Sequence, residues 1–348
     1  MSKRKPKKNQ GRKGNASRSR KFSRLAGFAL VAFIIAWGWA GVWFVHHPRK
    51  WIERKCESYP AILTAALTWI GNPVGDLTDA FGWTGHDAVY EYDEEAPSGS
   101  VLFAGAPRRM SPPAASDITV IDRGDFIIGW SDSLRHPVWC AYHVTKDAVH
   151  ENAKRPGFTR DRQYPAAPSP DTYTGSGYDR GHMVPNYAIV TRYGTDAQKL
   201  TFRMTTITPQ TPALNRGVGR DFEHRIADLW TKRYGEIWVI AGSVSNPGYA
   251  ETVSGSDIDV PTHNYQIIVA QEGMNIRALA VIFPQTVSWR AWAARSIVSI
   301  DELEEITGFD FLPDLPGFIQ DPLEAELPSR LWPIDKRDVF KLISLRLR

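Results

Sequence analysis

From Leu25 to Val45 the chain runs for 21 residues without one charged side chain. Wound as a helix at about 1.5 Å per residue, such a stretch matches the roughly 30 Å hydrocarbon core of a bilayer. Trp37, Trp39 and Trp43 within it, and Trp51 just beyond, suit the aromatic belt at membrane interfaces. A cleaved signal peptide would carry an apolar stretch of about 7–15 residues and small residues at its cut. This run is longer, and Trp43-Phe44-Val45-His46 offers no such cut. The run predicts one uncleaved N-terminal transmembrane helix. Residues 1–24 carry eleven Lys and Arg and no acid, which leaves the N-terminus in the cytoplasm and the rest of the chain on the exported, periplasmic or extracellular side. An acid-free tail with Arg and Ser also fits a mitochondrial targeting segment, so the mitochondrial inner membrane is the alternative address.

Net charge looks different once the tail is set aside. Of 42 Lys and Arg in the 348 residues, eleven lie in the tail, and the remaining 31 face 38 Asp and Glu, a net −7 against +4 for the whole. A body that bound nucleic acid through a broad basic surface would not carry this balance; any such capture must rest on a local patch and a metal, or be modest in affinity. The two cysteines, Cys56 and Cys140, form no metal-binding spacing, and nothing favours a disulfide between them.

Composition divides the chain into a basic cytoplasmic tail (1–24), the anchor (25–45), a connector (46–98) and a folded domain (99–348). Within the last, Ile118 to Ile121, Phe126 to Trp130, Val138 to Val144, Glu236 to Ala241, Tyr265 to Ala270 and Ile276 to Phe283 read as strands from their β-branched and bulky residues. Phe222, Ile226, Leu229 and Trp230 recur at helical spacing and predict a helix over 219–234. A second helix opens at Asp301, with Ser299 or Asp301 as its cap. The expectation is an α+β fold, a mixed or antiparallel sheet with inserted helices.

Chemistry concentrates in Tyr178-Asp179-Arg180-Gly181-His182-Met183-Val184-Pro185-Asn186. A carboxylate, a guanidinium and an imidazole surround one glycine, which allows a close backbone turn. Thr201-Phe202-Arg203-Met204-Thr205-Thr206-Ile207-Thr208-Pro209-Gln210 follows, then Leu214-Asn215-Arg216-Gly217 and Glu223. A phosphodiester resists hydrolysis because its anionic oxygens repel an attacking hydroxide; an enzyme needs a base for water and a cation for the phosphate. With a reference pKa near 6.5, His182 suits the base. The neutral carboxamide oxygen of Asn215 is a hard donor suited to Mg²⁺, although asparagine just before a helix also serves as an N-cap. Glu223 lies eight residues on, about 12 Å along a regular helix and roughly 80° around it. Without a bend it cannot reach the ion beside Asn215, so contact through a water is expected. His143, His150, His224 and His263 match no zinc spacing.

These ordered motifs resemble the DNA/RNA non-specific endonucleases, the endonuclease G-like ββα-metal (His-Me finger) nucleases. Their pattern is D-R-G-H-M-x-P, then T-F-x-M-T-N-I-x-P-Q, then L-N-x-G with a glutamate eight residues after the asparagine. With looser cues, the resemblance covers about Asp117 to Pro316. It implies a ββα-metal finger in the fold and a Mg²⁺-dependent endonuclease (Mn²⁺ as substitute) cleaving DNA and RNA with little sequence preference. In that picture His182 is the general base and Asn215 the direct metal ligand, while Glu223 and Asp179 meet the ion through water. The resemblance also places a phosphate-clamping arginine near Arg155, with Lys154 and Arg160 as competitors. Arg180 steadies the site or the phosphate, and an Asp179–Arg180 ion pair is the structural alternative. The implied partners are DNA and RNA, together with the bilayer through residues 25–45; a homodimer is left open. A phosphodiesterase of nucleotides or short oligonucleotides suits the acidic body better, and an inactive nucleic-acid-binding relative is the third reading. The intact His182, Asn215 and Glu223 argue against the latter. Two positions depart from the pattern: Thr206 stands for the usual asparagine, and Gly219 where a tryptophan often sits, with a cost in helix propensity.

Overall fold

The computed structural model of the chain describes residues 89–92, 100–112, 115–245, 251–289, 291, 293–335 and 338. The expected tail, the anchor, nearly all of the connector and Cys56 lie outside them. Among the described residues no helix is long and apolar enough to cross a membrane.

The strands are β1 (Tyr90–Glu91), β2 (Arg108–Arg109), β3 (Ile118–Asp122), β4 (Phe126–Ser131), β5 (His136–Thr145), β6 (Asp179–His182), β7 (Ile207–Gln210), β8 (Glu236–Val244), β9 (His263–Glu272), β10 (Asn275–Pro284), β11 (Ile297–Val298) and β12 (Phe309–Asp310). Helix α1 spans Asn186–Thr201. Helix α2 is a continuous run built from Leu214–Gly219, Arg220–His224, Arg225–Trp230 and Thr231–Tyr234. Helices α3 (Ile300–Thr307) and α4 (Gly317–Ala325) follow. The main sheet runs β1-β10-β9-β8-β5-β4-β3, with β11 on β10, and its pairings are antiparallel. The fold is α+β.

Both faces of that sheet are covered. On one, Phe126, Tyr142, Val239, Ile268 and Phe283 pack against Phe222, Ile226 and Trp230 of α2 and against Trp332. On the other, Trp139, Trp238, Tyr265 and Ile267 pack against Leu303 of α3 and Ile319 and Leu323 of α4. Double coverage explains why β5 is buried at every residue but its last, and why such strands read as apolar runs rather than alternating ones. Cys140, on β5, is a free and fully buried thiol.

Local signals set the ends of α3. The Ser299 hydroxyl accepts from Glu302 N, the Glu302 side chain returns to Ser299 N, and Gly308 closes the helix at φ 73°, a left-handed position that favours glycine. The cap is therefore Ser299 and not Asp301. Helix α2 starts five residues before the expected Gly219. Ala213 occupies its N-cap position without a side-chain bond, so Asn215 is no N-cap and lies inside the first turn.

Candidate active site

Strands β6 and β7 form a separate antiparallel pair, with Asp179 opposite Gln210, Gly181 opposite Thr208 and His182 opposite Ile207. Helix α2 follows directly, which completes a ββα unit against the sheet. Gly181 is required for close approach: a Cβ there would collide with the Gln210 side chain, which crosses over the strand. Thr206, the departure beside β7, is fully buried. Its hydroxyl donates to the carbonyls of Thr201 (2.7 Å) and Arg203 (2.8 Å), and its own carbonyl accepts from Met183 N at 2.9 Å. The residue is satisfied without the amide it replaces.

His182 sits in an aromatic cradle, 5.2 Å from Phe158 and 4.8 Å from Phe202 between ring centroids. Arg155 lies over Phe202 at 5.5 Å. Burial first, and the Arg155 charge second, push the imidazole down to about 3, so it is neutral at pH 7. Its enclosed nitrogen is Nε2, which has no hydrogen-bond partner among the described residues; Nδ1 is the nitrogen left for solvent or substrate.

His182, Asn215 and Glu223 line one cavity of about 20 Å³, together with Gln210, Asn264 and Gln266. Regular helical spacing would have kept Asn215 and Glu223 apart. The first segment of α2, Leu214–Gly219, is π-wound and kinked at Gly217 (φ −96°, ψ −110°), and this is the bend that brings both to the same space. Gly219 belongs to that turn: a Cβ would stand 2.8 Å from Leu214 O. Burial pushes the Glu223 carboxyl up to about 7, against the opposing pull of Arg155 and Arg220.

Asp179 stands behind Asn215. Its Oδ2 accepts from Asn215 Nδ2 at 2.9 Å and from Arg216 Nε at 2.7 Å, and its Oδ1 accepts from the other arm of the Arg216 fork. Burial alone would raise this carboxyl, but the Arg216 and Asn215 hydrogen bonds and the charges of Arg216 and Arg180 outweigh it and hold Asp179 below its ordinary value. A carboxylate only accepts, so the amide nitrogen must face it and the Asn215 Oδ1 is turned the other way. The Asp179 partner is thus Arg216 and not Arg180. Arg180 donates through Nε to Pro170 O (2.9 Å) and through a terminal nitrogen to Thr174 Oγ1 (2.9 Å), and it lies over Phe158 and Tyr173. Arg155 is exposed and close enough to shift both His182 and Glu223. Arg160, one competitor, spends its side chain on the Ala167 and Pro165 carbonyls. His143 pairs with Glu236 and His224 with Asp228. Among the described residues no histidine joins a cluster of three metal-binding side chains.

The residues fit a hard divalent ion. A freed carboxamide oxygen and an enclosed carboxylate, which has no ion-pair partner among the described residues, line one small cavity, a donor set typical of Mg²⁺. Arg216, Asn264 and Gln266 are additional residues of the site that motif reading does not single out. Arg216 lies inside a quoted motif. Asn264 and Gln266 stand two apart on the face of β9 that otherwise carries Ile268 and Ala270, and polar side chains on such a face are the signal.

The sequence pattern of the DNA/RNA non-specific endonuclease family matches residues 108–318. The chain belongs to this family. Among its relatives, a Nuclease of Nostoc sp. is 30% identical over 254 residues, 68% of this chain and 89% of that protein. The mitochondrial Nuclease EXOG of Mus musculus is 30% identical over 206 residues, 54% of this chain and 55% of that one, so the chain spans about half of its length. In fold the chain resembles a protein in the crystal structure of the EndoG/EndoGI complex, which addresses the mechanism of EndoG inhibition. That match has a TM-score of 0.53 at 21% identity, covering 65% of this chain and 96% of the other.

Proposed function

We propose that this family member is a divalent-metal-dependent endonuclease that hydrolyses the phosphodiester bonds of both DNA and RNA with little sequence preference. One observation carries the reading: His182, Asn215 and Glu223 face one cavity, with Asp179 turning the Asn215 oxygen free. Asn215 Oδ1 would hold Mg²⁺ (or Mn²⁺) directly, with Glu223 beside it. When bound, the ion supplies charge neutralisation at the phosphate and stabilises the departing alkoxide.

The chain's own residues do the rest. His182, kept neutral by its cradle, takes a proton from the attacking water at Nδ1 as the water oxygen bonds to phosphorus and the ester P–O bond breaks. The exposed Arg155 guanidinium clamps the phosphate from the same side. Arg180, tied to Pro170 and Thr174, braces the Phe158 wall behind His182. Because a water attacks and not the ribose 2′-hydroxyl, sugar identity matters little.

The uncharged run 25–45 and the eleven basic residues before it support a membrane anchor with the catalytic domain on the exported side. Protease added to intact spheroplasts then digests the body beyond Lys55; a protected body reverses that orientation. The activity is tested by incubating the full-length protein with plasmid, single-stranded DNA, RNA and short oligonucleotides, with Mg²⁺ or with a chelator. Internal cleavage of all the polymers with Mg²⁺ alone is expected. Cleavage confined to the short substrates would favour the nucleotide phosphodiesterase, and metal-independent or absent cleavage would reject the mechanism.

A further inference from the structure

A single exposed apolar ring is ordinary on a protein surface, but the place of Trp289 is not. The residue is 59% exposed and lies against Gly217, the kink in the turn that carries Asn215. A Cβ added to Gly217 would meet the Trp289 carbonyl oxygen at 3.5 Å and its ring at 3.8 Å. Asn215, two residues earlier, is the residue assigned to the metal. An open indole therefore stands beside the turn on which the scissile phosphate would be held.

The loop that carries Trp289 is tied to that same turn. Gln285, just past β10, donates through Nε2 to Pro209 O at 2.7 Å. Its Oε1 accepts from Thr211 N at 2.9 Å and its carbonyl from Thr211 Oγ1 at 2.7 Å. Thr211 O in turn accepts from Asn215 N at 2.9 Å. Val287 packs against the core, and Ala293 and Ala294 beyond the ring are buried in it. A ring already held in place loses little freedom when something binds to it.

Arg216 and Arg220 flank Gly217 in sequence and are both exposed. Cations for phosphates beside an open aromatic face are the two parts of a single-strand binding surface. Stacking tolerates any base, because every base has a π-face, and this suits cleavage without sequence preference. It also adds affinity that a body of net −7 does not supply through charge. In a duplex the bases are stacked and paired with one another, so only a single strand or an opened duplex offers one to the ring. We propose that Trp289 is a specificity-determining residue on which one unpaired base of the substrate stacks, so that single-stranded DNA and RNA are taken in preference to intact duplex. This rests on the nuclease reading above.

The test compares cleavage by the full-length protein, with Mg²⁺, of a single strand and of the same sequence as duplex. Wild type should show the lower KM on the single strand. Trp289→Ala should raise that KM roughly 5- to 150-fold, the worth of one stacked base, with kcat and duplex cleavage nearly unchanged. Trp289→Phe, which keeps a π-face, should recover most of the loss. An unchanged KM overturns the proposal. Equal losses on the two substrates overturn it too, since the ring would then only brace the Asn215 turn. A second arm needs no cleavage: His182→Ala with Mg²⁺ is titrated with the single strand and with an abasic strand of equal length and charge. The base-bearing strand should bind more tightly, and adding Trp289→Ala should close most of that gap. An absent gap, or one that Trp289→Ala leaves intact, overturns the stacking. If wild type cleaves nothing the proposed function falls, while this arm still decides whether a base stacks on Trp289.

Discussion

Asn215 Nδ2 donates to Asp179 Oδ2 across 2.9 Å, and that bond settles which end of the Asn215 amide faces the cavity. A lone asparagine is a weak and rotatable metal ligand. Here its rotation is stopped by a carboxylate that is itself clamped by the Arg216 fork. The first residue of the D-R-G-H motif thus orients the second residue of the L-N-R-G motif, across 36 positions of sequence.

Asp179→Ala should therefore weaken metal binding without touching a direct ligand. Loss of an outer-shell partner typically costs about 10- to 100-fold in metal affinity or activity, so the Mg²⁺ midpoint for plasmid nicking should rise by that factor. Asp179→Asn keeps an acceptor oxygen and should fall between. A midpoint equal to wild type in Asp179→Ala would mean that Asn215 is oriented by something else.

His182→Ala should lower the cleavage rate by roughly 10²–10⁴, the usual cost of a lost general base. The ring fills space between Phe158 and Phe202, so some melting temperature should be lost too, and a thermal scan separates the two effects. Mg²⁺ binding should persist. A folded variant with near-normal turnover would remove His182 from the reaction.

The pH dependence should come from Glu223, not from His182. With the imidazole held down to about 3, the base is already deprotonated across pH 5–9. Glu223, pushed up to about 7 by burial, is neutral below that pH and competes for its proton with a cation. The sign follows from linkage: a carboxyl raised in the folded state contributes stability that is full below about pH 4.5 and is lost as pH rises through about 7. Metal-free protein should melt lower at pH 8 than at pH 5.5, and Mg²⁺ should restore more at pH 8. The acid limb of activity should move to lower pH as Mg²⁺ is raised. In Glu223→Gln the pH-dependent part of the Mg²⁺ rescue should vanish, and its persistence would place the titration elsewhere.

Much of the sheet was legible because its strands are buried on both faces and carry runs such as Val138 to Val144 and Ile276 to Phe283. The Ser299 cap was legible because a capping box is local. Strand β6 was not: Asp-Arg-Gly-His has no strand propensity and is made extended by its pairing with β7. Helix α1 was also missed. It mixes β-branched residues with Gly194, where the backbone leaves the helix at φ 87°, so no clean period appears. The residue types of the site were legible in their motifs, but their convergence was not. A period of 3.6 separates Asn215 from Glu223, and only the π-wound turn at Leu214–Gly219 closes that gap.

The last prediction lies away from the cavity, where α3 and α4 bring Asp301, Glu304 and Glu324 within 4.8 Å of one another. Glu324 is only 4% exposed. Burial, and then the neighbouring Glu304, push it up to about 8; burial also raises Glu304 to about 7, despite the Phe311 N–H bond, with Asp310 and Asp301 adding to the rise. Gln320 Nε2 contributes a single bond to Glu324 at 3.3 Å. Both carboxyls are raised in the fold, so the stability of their neutral forms is complete below about pH 4.5 and is lost as pH climbs through 7 to 8. Glu324→Gln keeps the shape and the Gln320 contact and removes that loss. Its melting temperature should exceed wild type at pH 8.5 by roughly 2–4 °C, about 1 kcal/mol for a domain of this size, and should differ little at pH 5. Equal gains at both pH values would mean that the substitution acts through packing and that Glu324 is ionised in the native fold.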